Sequence, residues 1–225
     1  MAVMLNTERL LLRPWLEADR EPFRRMNTDP RVMEFFPKML SSEESDQLFE
    51  RIQRHFDEHG FGFWAAELRQ DQSFVGFVGL AVPRFEAHFM PAVEIGWRLR
   101  AEAWGRGLAT EGARAALRYG FATLGLDAIV SFTVPANRRS RRVMEKLGMT
   151  HDERDDFDHP LLPEGHSLRR HVLYRIDRRR HSSQHSALPP PHSCRASAAA
   201  IVSSTRNWYE FWREFAGVWA RRIRL

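Results

Sequence analysis

Between Ser41 and Gly60 apolar residues recur at every fourth position, Leu48, Ile52 and Phe56, behind the acidic pair Glu43 and Glu44. That spacing predicts a helix with acid in its first turn and Gly60 as its stop. The period then shortens. Residues 61–68 and 73–82 are rich in aromatic and β-branched side chains around a Gln70-Asp71-Gln72 turn and read as two strands, with 92–99 as a third. From 107 to 124 the helical period returns, with Ala109, Ala113, Leu117, Phe121 and Leu124 in one stripe and Gly125 after it. Residues 128–134 read as a strand closed by Pro135, 137–147 as a helix ended by Gly148, and 167–176 as a last strand. Ahead of these, residues 7–13 form an opening strand, 17–27 a short helix, and Asp29-Pro30 opens another that runs through Phe36 to Pro37. The order predicts an α/β (α+β mixed) domain on one mostly antiparallel sheet covered by helices.

After Ile176 the pattern changes. Arg178, Arg179 and Arg180, scattered Ser and His, and Pro189, Pro190 and Pro191 read as a linker over 177–206. Trp208, Trp212, Phe215, Trp219 and Ile223 then fall at helical spacing, an amphipathic tail over 207–225. The expected organisation is a body over 1–176, the linker, and the tail. Charge follows the same boundary. The chain carries a formal +5, but residues 1–176 hold 25 basic and 26 acidic side chains and residues 177–225 hold 9 and 3. Any argument from phosphate-backbone attraction applies to the tail alone. The tail reads as docked on the body or on a second copy of the chain, or as unstructured, in preference to binding a membrane or nucleic acid; a homodimer is one arrangement this allows.

The single cysteine, Cys194, excludes an internal disulfide and a cysteine-based zinc cluster. No stretch of 18 uncharged residues could span a bilayer, and the N-terminus lacks a secretory pattern, so a cytoplasmic protein is expected.

The most informative chemistry is Gly105-Arg106-Gly107-Leu108-Ala109-Thr110, between the strand ending at Leu99 and the helix. Amides at a helix N-terminus lack intrahelical partners, and the dipole favours an anion there. Glycines permit close approach, and Arg106 adds charge. A pyrophosphate is the candidate ligand, although a glycine pair before a helix also serves as an ordinary turn. The sequence contains neither the G-x-x-x-x-G-K-[ST] loop nor G-x-G-x-x-G, since Thr110 stands at the last glycine position.

Four blocks together resemble the GNAT superfamily of acyl-CoA-dependent N-acetyltransferases, in its RimJ/RimL-type branch. They are residues 7–15 (TERLLLRPW), 93–97 (VEIGW), 104–111 (WGRGLATE) and 137–149 (NRRSRRVMEKLGM), in the family's order. The third is similar to the [QR]-x-x-G-x-[GA] pyrophosphate loop, with Trp104 at its first position. The resemblance implies acetyl-CoA as co-substrate, no metal, and a sheet with a splayed strand pair. It implies that Trp104, Gly105, Arg106, Gly107, Leu108, Ala109 and Thr110 bind the pyrophosphate. It further implies that Ile95, Trp97 and Leu99 lie along the pantetheine arm, that a strand amide polarises the thioester, and that Asn137 bonds the arm.

Acetyl transfer needs a neutral amine. A lysine amine is neutral about once in 2500 at pH 7, and an α-amine in roughly a tenth of molecules. Glu94, a carboxylate among Ala92, Val93 and Ile95, is the candidate base; the alternative is a solvent-facing strand edge shared with Gly96 and Arg98. Ser140 is the candidate donor to the leaving thiolate by the same resemblance, and otherwise a first-turn residue behind an Asn137 cap. Neither Tyr119 nor Tyr174 has a clear catalytic place. The acidic run from His151 to His159 reads as a solvated loop that would favour a cationic acceptor, rather than as a metal site. Phe35, Phe36, Phe61, Phe63 and Trp64 line an acceptor pocket or belong to the core. The expected activity is acetyl transfer to a primary amine, a protein N-terminus or a small molecule. The alternatives are a non-catalytic CoA sensor and tail-driven nucleic-acid binding.

Overall fold

The computed structural model describes residues 3–184. Its strands are β1 (Leu5–Asn6), β2 (Leu10–Arg13), β3 (Phe63–Leu68), β4 (Phe74–Ala81), β5 (Glu94–Leu99), β6 (Ala128–Thr133), β7 (Thr150–His151), β8 (Phe157–Asp158) and β9 (Arg170–Asp177). Its helices are α1 (Arg20–Thr28), α2 (Pro30–Met33), α3 (Ser42–His59), α4 (Leu108–Ala122), α5 (Arg138–Lys146) and α6 (Arg178–Gln184). The sheet runs β1-β2-β3-β4-β5-β6-β9-β7, with β8 also on β9. Neighbours are antiparallel except β5 and β6, which are parallel and share one register pair, Glu94 opposite Val130. This is a mixed α/β fold with a mostly antiparallel open sheet, as expected.

Local chemistry explains the main boundaries. Ser41 caps α3 through the Glu44 N–H, and Glu44 returns a bond to the Ser41 N–H at 2.9 Å. Gly60, in the left-handed region, ends that helix. Helix α4 lies across one face of the sheet, burying Leu108, Ala113, Leu117 and Phe121 against Leu10, Val78, Ile95 and Ile129. Its Gly120 permits this approach, because a Cβ there would meet Ile129 at 2.8 Å. On the opposite face α1 and α3 bury Phe23, Phe49 and Ile52 over Trp15 and Phe77. A smaller cluster of Phe85, Phe89, Val130, Phe157 and Leu173 fills the end where β8 and β9 meet.

Several boundaries differ from the sequence reading. The opening strand begins at Leu10, because Thr7 and Arg9 turn away to bond α4. The helix expected through Phe36 is regular only to Met33. The first residues of the expected linker form α6, held where the Arg178 Nε donates to the Leu126 carbonyl at 3.0 Å and His181 is buried against Phe121. The body therefore continues past Ile176 to at least Gln184. The remaining linker, Cys194 and the tail lie outside the described residues. No helix among the described residues is long and apolar enough to cross a membrane.

Candidate active site

Beyond the Glu94–Val130 pair, β5 and β6 diverge and a cavity of about 480 Å³ opens between them. The backbone directions along β5 follow from the ladder. Leu80 N–H donates to Gly62 O on the β3 side, so Phe77, Gly79 and Ala81 turn toward β5 and pair with Arg98, Gly96 and Glu94. The backbone groups of the intervening residues, Ile95, Trp97 and Leu99, face β6. Where β6 has moved away they line the cavity instead. Trp104 closes the far end, its Nε1 donating to the Leu99 carbonyl at 2.8 Å. That bond replaces one lost by the divergence and gives Trp104 a structural purpose at the head of the loop.

The loop itself presents a row of open donors. From Gly105 to Thr110 no backbone N–H finds an acceptor among the described residues; the next, of Glu111, closes on the Gly107 carbonyl at 3.0 Å. Gly105 and Gly107 have φ of 72° and 78°, which explains glycine at both positions. A Cβ at Gly105 would have nothing within 4 Å, so the space before the loop is clear. Six successive amides, open space and the positive end of a fifteen-residue helix form an anion cradle. The diphosphate of coenzyme A has the charge and shape for it.

A network at the protein surface holds this loop. Glu111, in the first turn of α4, accepts from Thr7 Oγ1 at 2.6 Å, from the Arg9 N–H at 2.7 Å and from Arg9 Nε at 2.7 Å. Arg9 Nη1 also donates to the Arg106 carbonyl at 2.8 Å. Burial acts to raise the Glu111 pKa, but the bonds from Thr7 and Arg9 outweigh it and hold it below the usual range. Thus Arg9 fixes the Arg106 carbonyl behind the loop, and the loop's N–H groups stay open.

On the other face of β5 stand Glu94, Gly96 and Arg98, with Gly96 against the Phe63 ring and Arg98 reaching Asn27 of α1. The Glu94 carboxylate lines the cavity with no hydrogen-bond partner among the described residues, and burial pushes its pKa up to about 8. Gly96 keeps the wall low, since a Cβ would lie 3.0 Å from the Phe63 ring. Phe35, Phe36 and Phe63 line this part of the cavity, whereas Phe61 and Trp64 are fully buried core residues. His159 and His171 form another part of the wall. Burial depresses both pKa values, that of His159 to about 3, so both are neutral near pH 7.

Helix α5 supplies the last wall. Asn137 caps it, its Oδ1 accepting from the Ser140 N–H at 3.1 Å, while its Nδ2 donates to Thr133 Oγ1 at 3.1 Å. Its side chain is therefore occupied in joining β6 to α5. The Ser140 hydroxyl faces the cavity without a partner among the described residues. Arg139, Arg142 and Lys146 add cationic rim, with Arg139 over the Trp104 ring at 4.4 Å and paired to Glu34 at 2.6 Å.

The structure thus brings Glu94, Ile95, Trp97, Leu99, Trp104, Gly105, Gly107, Leu108, Ala109, Thr110, Asn137 and Ser140 to one cavity. Arg106 is the exception; it is exposed beside the loop and not in the cavity wall. The acidic run is not a simple solvated loop. His151 bonds Asp156 at 2.7 Å, Asp155 bonds Arg175 at 2.9 Å, and His159 is buried. The described residues hold no cluster of potential metal ligands. Tyr174 is buried and accepts from Arg141 at 3.3 Å; Tyr119 packs on Trp64, so neither lines the cavity. Sequence reasoning missed His171 and gave Arg98 no role. The signal for Arg98 was its charge on a strand four residues from Glu94.

Comparison with known proteins agrees with this geometry. The family model described as an acetyltransferase (GNAT) domain matches residues 9–150, well over half of the chain. The chain belongs to the GNAT acetyltransferase family. This acetyltransferase is 35% identical over 156 residues to an FsC-acetyl coenzyme A-N(2)-transacetylase of Aspergillus fumigatus, covering 66% of each chain. It is 28% identical to an uncharacterized N-acetyltransferase, YnaD, of Bacillus subtilis, covering 76% of this chain and 95% of the relative. An acetyltransferase from Agrobacterium tumefaciens superposes with a TM-score of 0.64 at 30% identity, covering 78% of this chain and 95% of that one. The GNAT enzymes use acetyl-CoA as co-substrate, and the open amides at 105–110 are suited to its diphosphate.

Proposed function

We propose that this chain transfers acetyl from acetyl-CoA to a primary amine by direct attack in a ternary complex, and that it belongs to the RimJ/RimL-type branch. The observation that carries the reading is the run of six unpartnered amides at 105–110 opening onto the same cleft as the Glu94 carboxylate. The amides hold the diphosphate. Ile95, Trp97 and Leu99 run beside the pantetheine arm, and the first strand N–H past the Glu94–Val130 pair, that of Trp97, donates to the thioester carbonyl as negative charge develops on its oxygen. Glu94 accepts the proton of the ammonium, through one water, and the neutral amine then bonds to the carbonyl carbon. The acylated nitrogen gives up its second proton to solvent as the carbon–sulfur bond breaks, and the thiolate takes a proton from the Ser140 hydroxyl, which solvent restores.

The branch assignment draws on the block at residues 7–15. Its Thr7 and Arg9 bond the loop's helix. The body is proposed to act in the cytoplasm. The test is release of free thiol from acetyl-CoA against N-terminal peptides, amino acids, polyamines and aminoglycosides. Turnover with at least one primary amine is expected. Tight coenzyme A binding with no turnover across the panel would show a sensor instead.

A further inference from the structure

Arg98 stands on the Glu94 side of β5, and its chemistry is unlike that of Arg13, another arginine set deep in the fold. Arg13 meets two carboxylates, Asp19 at 2.6 Å and Glu67 at 2.6 Å. Arg98 has no carboxylate within 4.0 Å among the described residues. Its Nη1 donates to the neutral Asn27 Oδ1 at 2.7 Å, and the Asn27 amide is turned that way because its Nδ2 donates to Ser45 Oγ at 2.9 Å. Phe36 lies 4.0 Å and Phe77 5.4 Å from the guanidinium carbon. The Nε is buried and unpartnered, and Nη2 makes no bond to a described residue. A desolvated cation beside neutral groups is costly, and an anion arriving from the cavity would offset that cost.

Two sources of anion are available, the cofactor and the acceptor. The diphosphate has its own donors, the open amides at 105–110. Arg98 instead shares its side with Glu94, Gly96 and the phenylalanine wall. Arg31, also in the cavity wall, is already paired with Asp29 at 2.6 Å and Glu102 at 2.7 Å.

We infer that Arg98 binds a carboxylate of the acceptor, so that the substrate class is a small amine that also bears a carboxylate on an apolar frame, held between Glu94 and Arg98. This deepens the acetyl-transfer reading and rests on it. Glu94 and Arg98 are four strand residues apart, about 13 Å between Cα atoms, a span that the arginine's length shortens. Acceptors from an α-amino acid to a short peptide fit the gap, whereas a polyamine has no group for Arg98. Burial presses the Arg98 pKa down, consistent with a cation that lacks a counter-charge in the free protein.

The test compares phenylalanine, phenylalanine amide, phenethylamine and glycyl-phenylalanine as acceptors for the full chain. The amine of the amide is the less basic, so a preference for the acid runs against intrinsic reactivity. The wild type is expected to favour a carboxylate-bearing acceptor by about 30-fold or more in kcat/KM, in line with a charge-assisted pair. Arg98→Met should reduce that preference to about twofold with the KM for acetyl-CoA unchanged, and Arg98→Lys should restore part of it. Arg98→Gln keeps a donor for Asn27 and serves if the methionine variant does not fold. Equal use of acid and amide by the wild type overturns the assignment. So does a variant that raises the KM for acetyl-CoA and leaves the acceptor preference intact, which would give Arg98 to the cofactor. If no amine turns over, acetyl transfer itself has failed. Calorimetry of the coenzyme A complex with phenylalanine and its amide then decides the Arg98 assignment, and equal binding refutes it.

Discussion

Glu94 and Val130 face each other at the one register pair that joins β5 to β6, and every feature of the cleft is set out from that point. Beyond it the two strands part, and the carboxylate stands at the fork. Burial raises its pKa to about 8. Amine acetylation should therefore rise with pH through about 8 as Glu94 loses its proton. Glu94→Gln should lower kcat/KM by on the order of 100-fold and remove that limb of the profile. A pH–rate series on both proteins measures it.

The same shift predicts a stability effect of defined sign. The folded-state pKa lies above the ordinary carboxylate value, so the folded state binds this proton more tightly than the unfolded chain. The protonated Glu94 contributes stability that is complete below the ordinary value of 4.5 and is lost as pH rises through about 8. Thermal melts should find Glu94→Gln more stable than the wild type at pH 9 and no more stable at pH 4.

Arg9 and Glu111 tie the N-terminal turn to the loop before α4 without touching the cavity's acceptor side. Arg9→Met should raise the KM for acetyl-CoA about tenfold and leave kcat within about twofold. Equal loss in both parameters would mean that the network does more than hold the loop. Initial rates at varied acetyl-CoA give the split.

His55 is buried, its Nδ1 bonded to the Phe61 carbonyl at 2.8 Å and its Nε2 accepting the Val82 N–H at 3.1 Å. Both bonds require the neutral ring, and burial lowers its pKa to about 3. Its contribution is present above the ordinary value of 6.5 and is lost as pH falls toward 3. His55→Phe should cost about 2–4 kcal/mol at pH 7, because it strands two buried backbone groups, and should flatten the acid limb of the denaturation curve. Urea melts at pH 7 and pH 5 test both statements.

Gly76 has φ of 132°, and a Cβ there would lie 2.1 Å from the Arg98 carbonyl. Gly76→Ala should destabilise the chain by about 2–4 kcal/mol, since backbone rather than a flexible side chain must move. Chemical denaturation measures the loss.

The helices were legible because their signals are local. Ser41 and Glu44 cap each other within one turn, and Asn137 caps α5 from its own side chain. The loop at 105–110 was legible for the same reason. What the sequence concealed depends on contacts between distant segments. Thr7 and Arg9 read as strand until Glu111, more than a hundred residues on, is seen to draw them aside. His171 reads as part of a strand, and only its packing near His159 places it in the cavity wall. The first arginines after Ile176 resembled a linker because the Leu126 carbonyl and Phe121 that hold α6 lie more than fifty residues upstream.

The account depends most on the amides of residues 105–110, and calorimetric titration with coenzyme A examines them directly. The full chain should show saturable one-to-one binding. Ala109→Pro, which removes a single N–H in the first helical turn where proline is tolerated, should bind about tenfold more weakly with little change in melting temperature. A wild-type titration without saturable heat, or a proline variant that binds as tightly as the wild type, would contradict it.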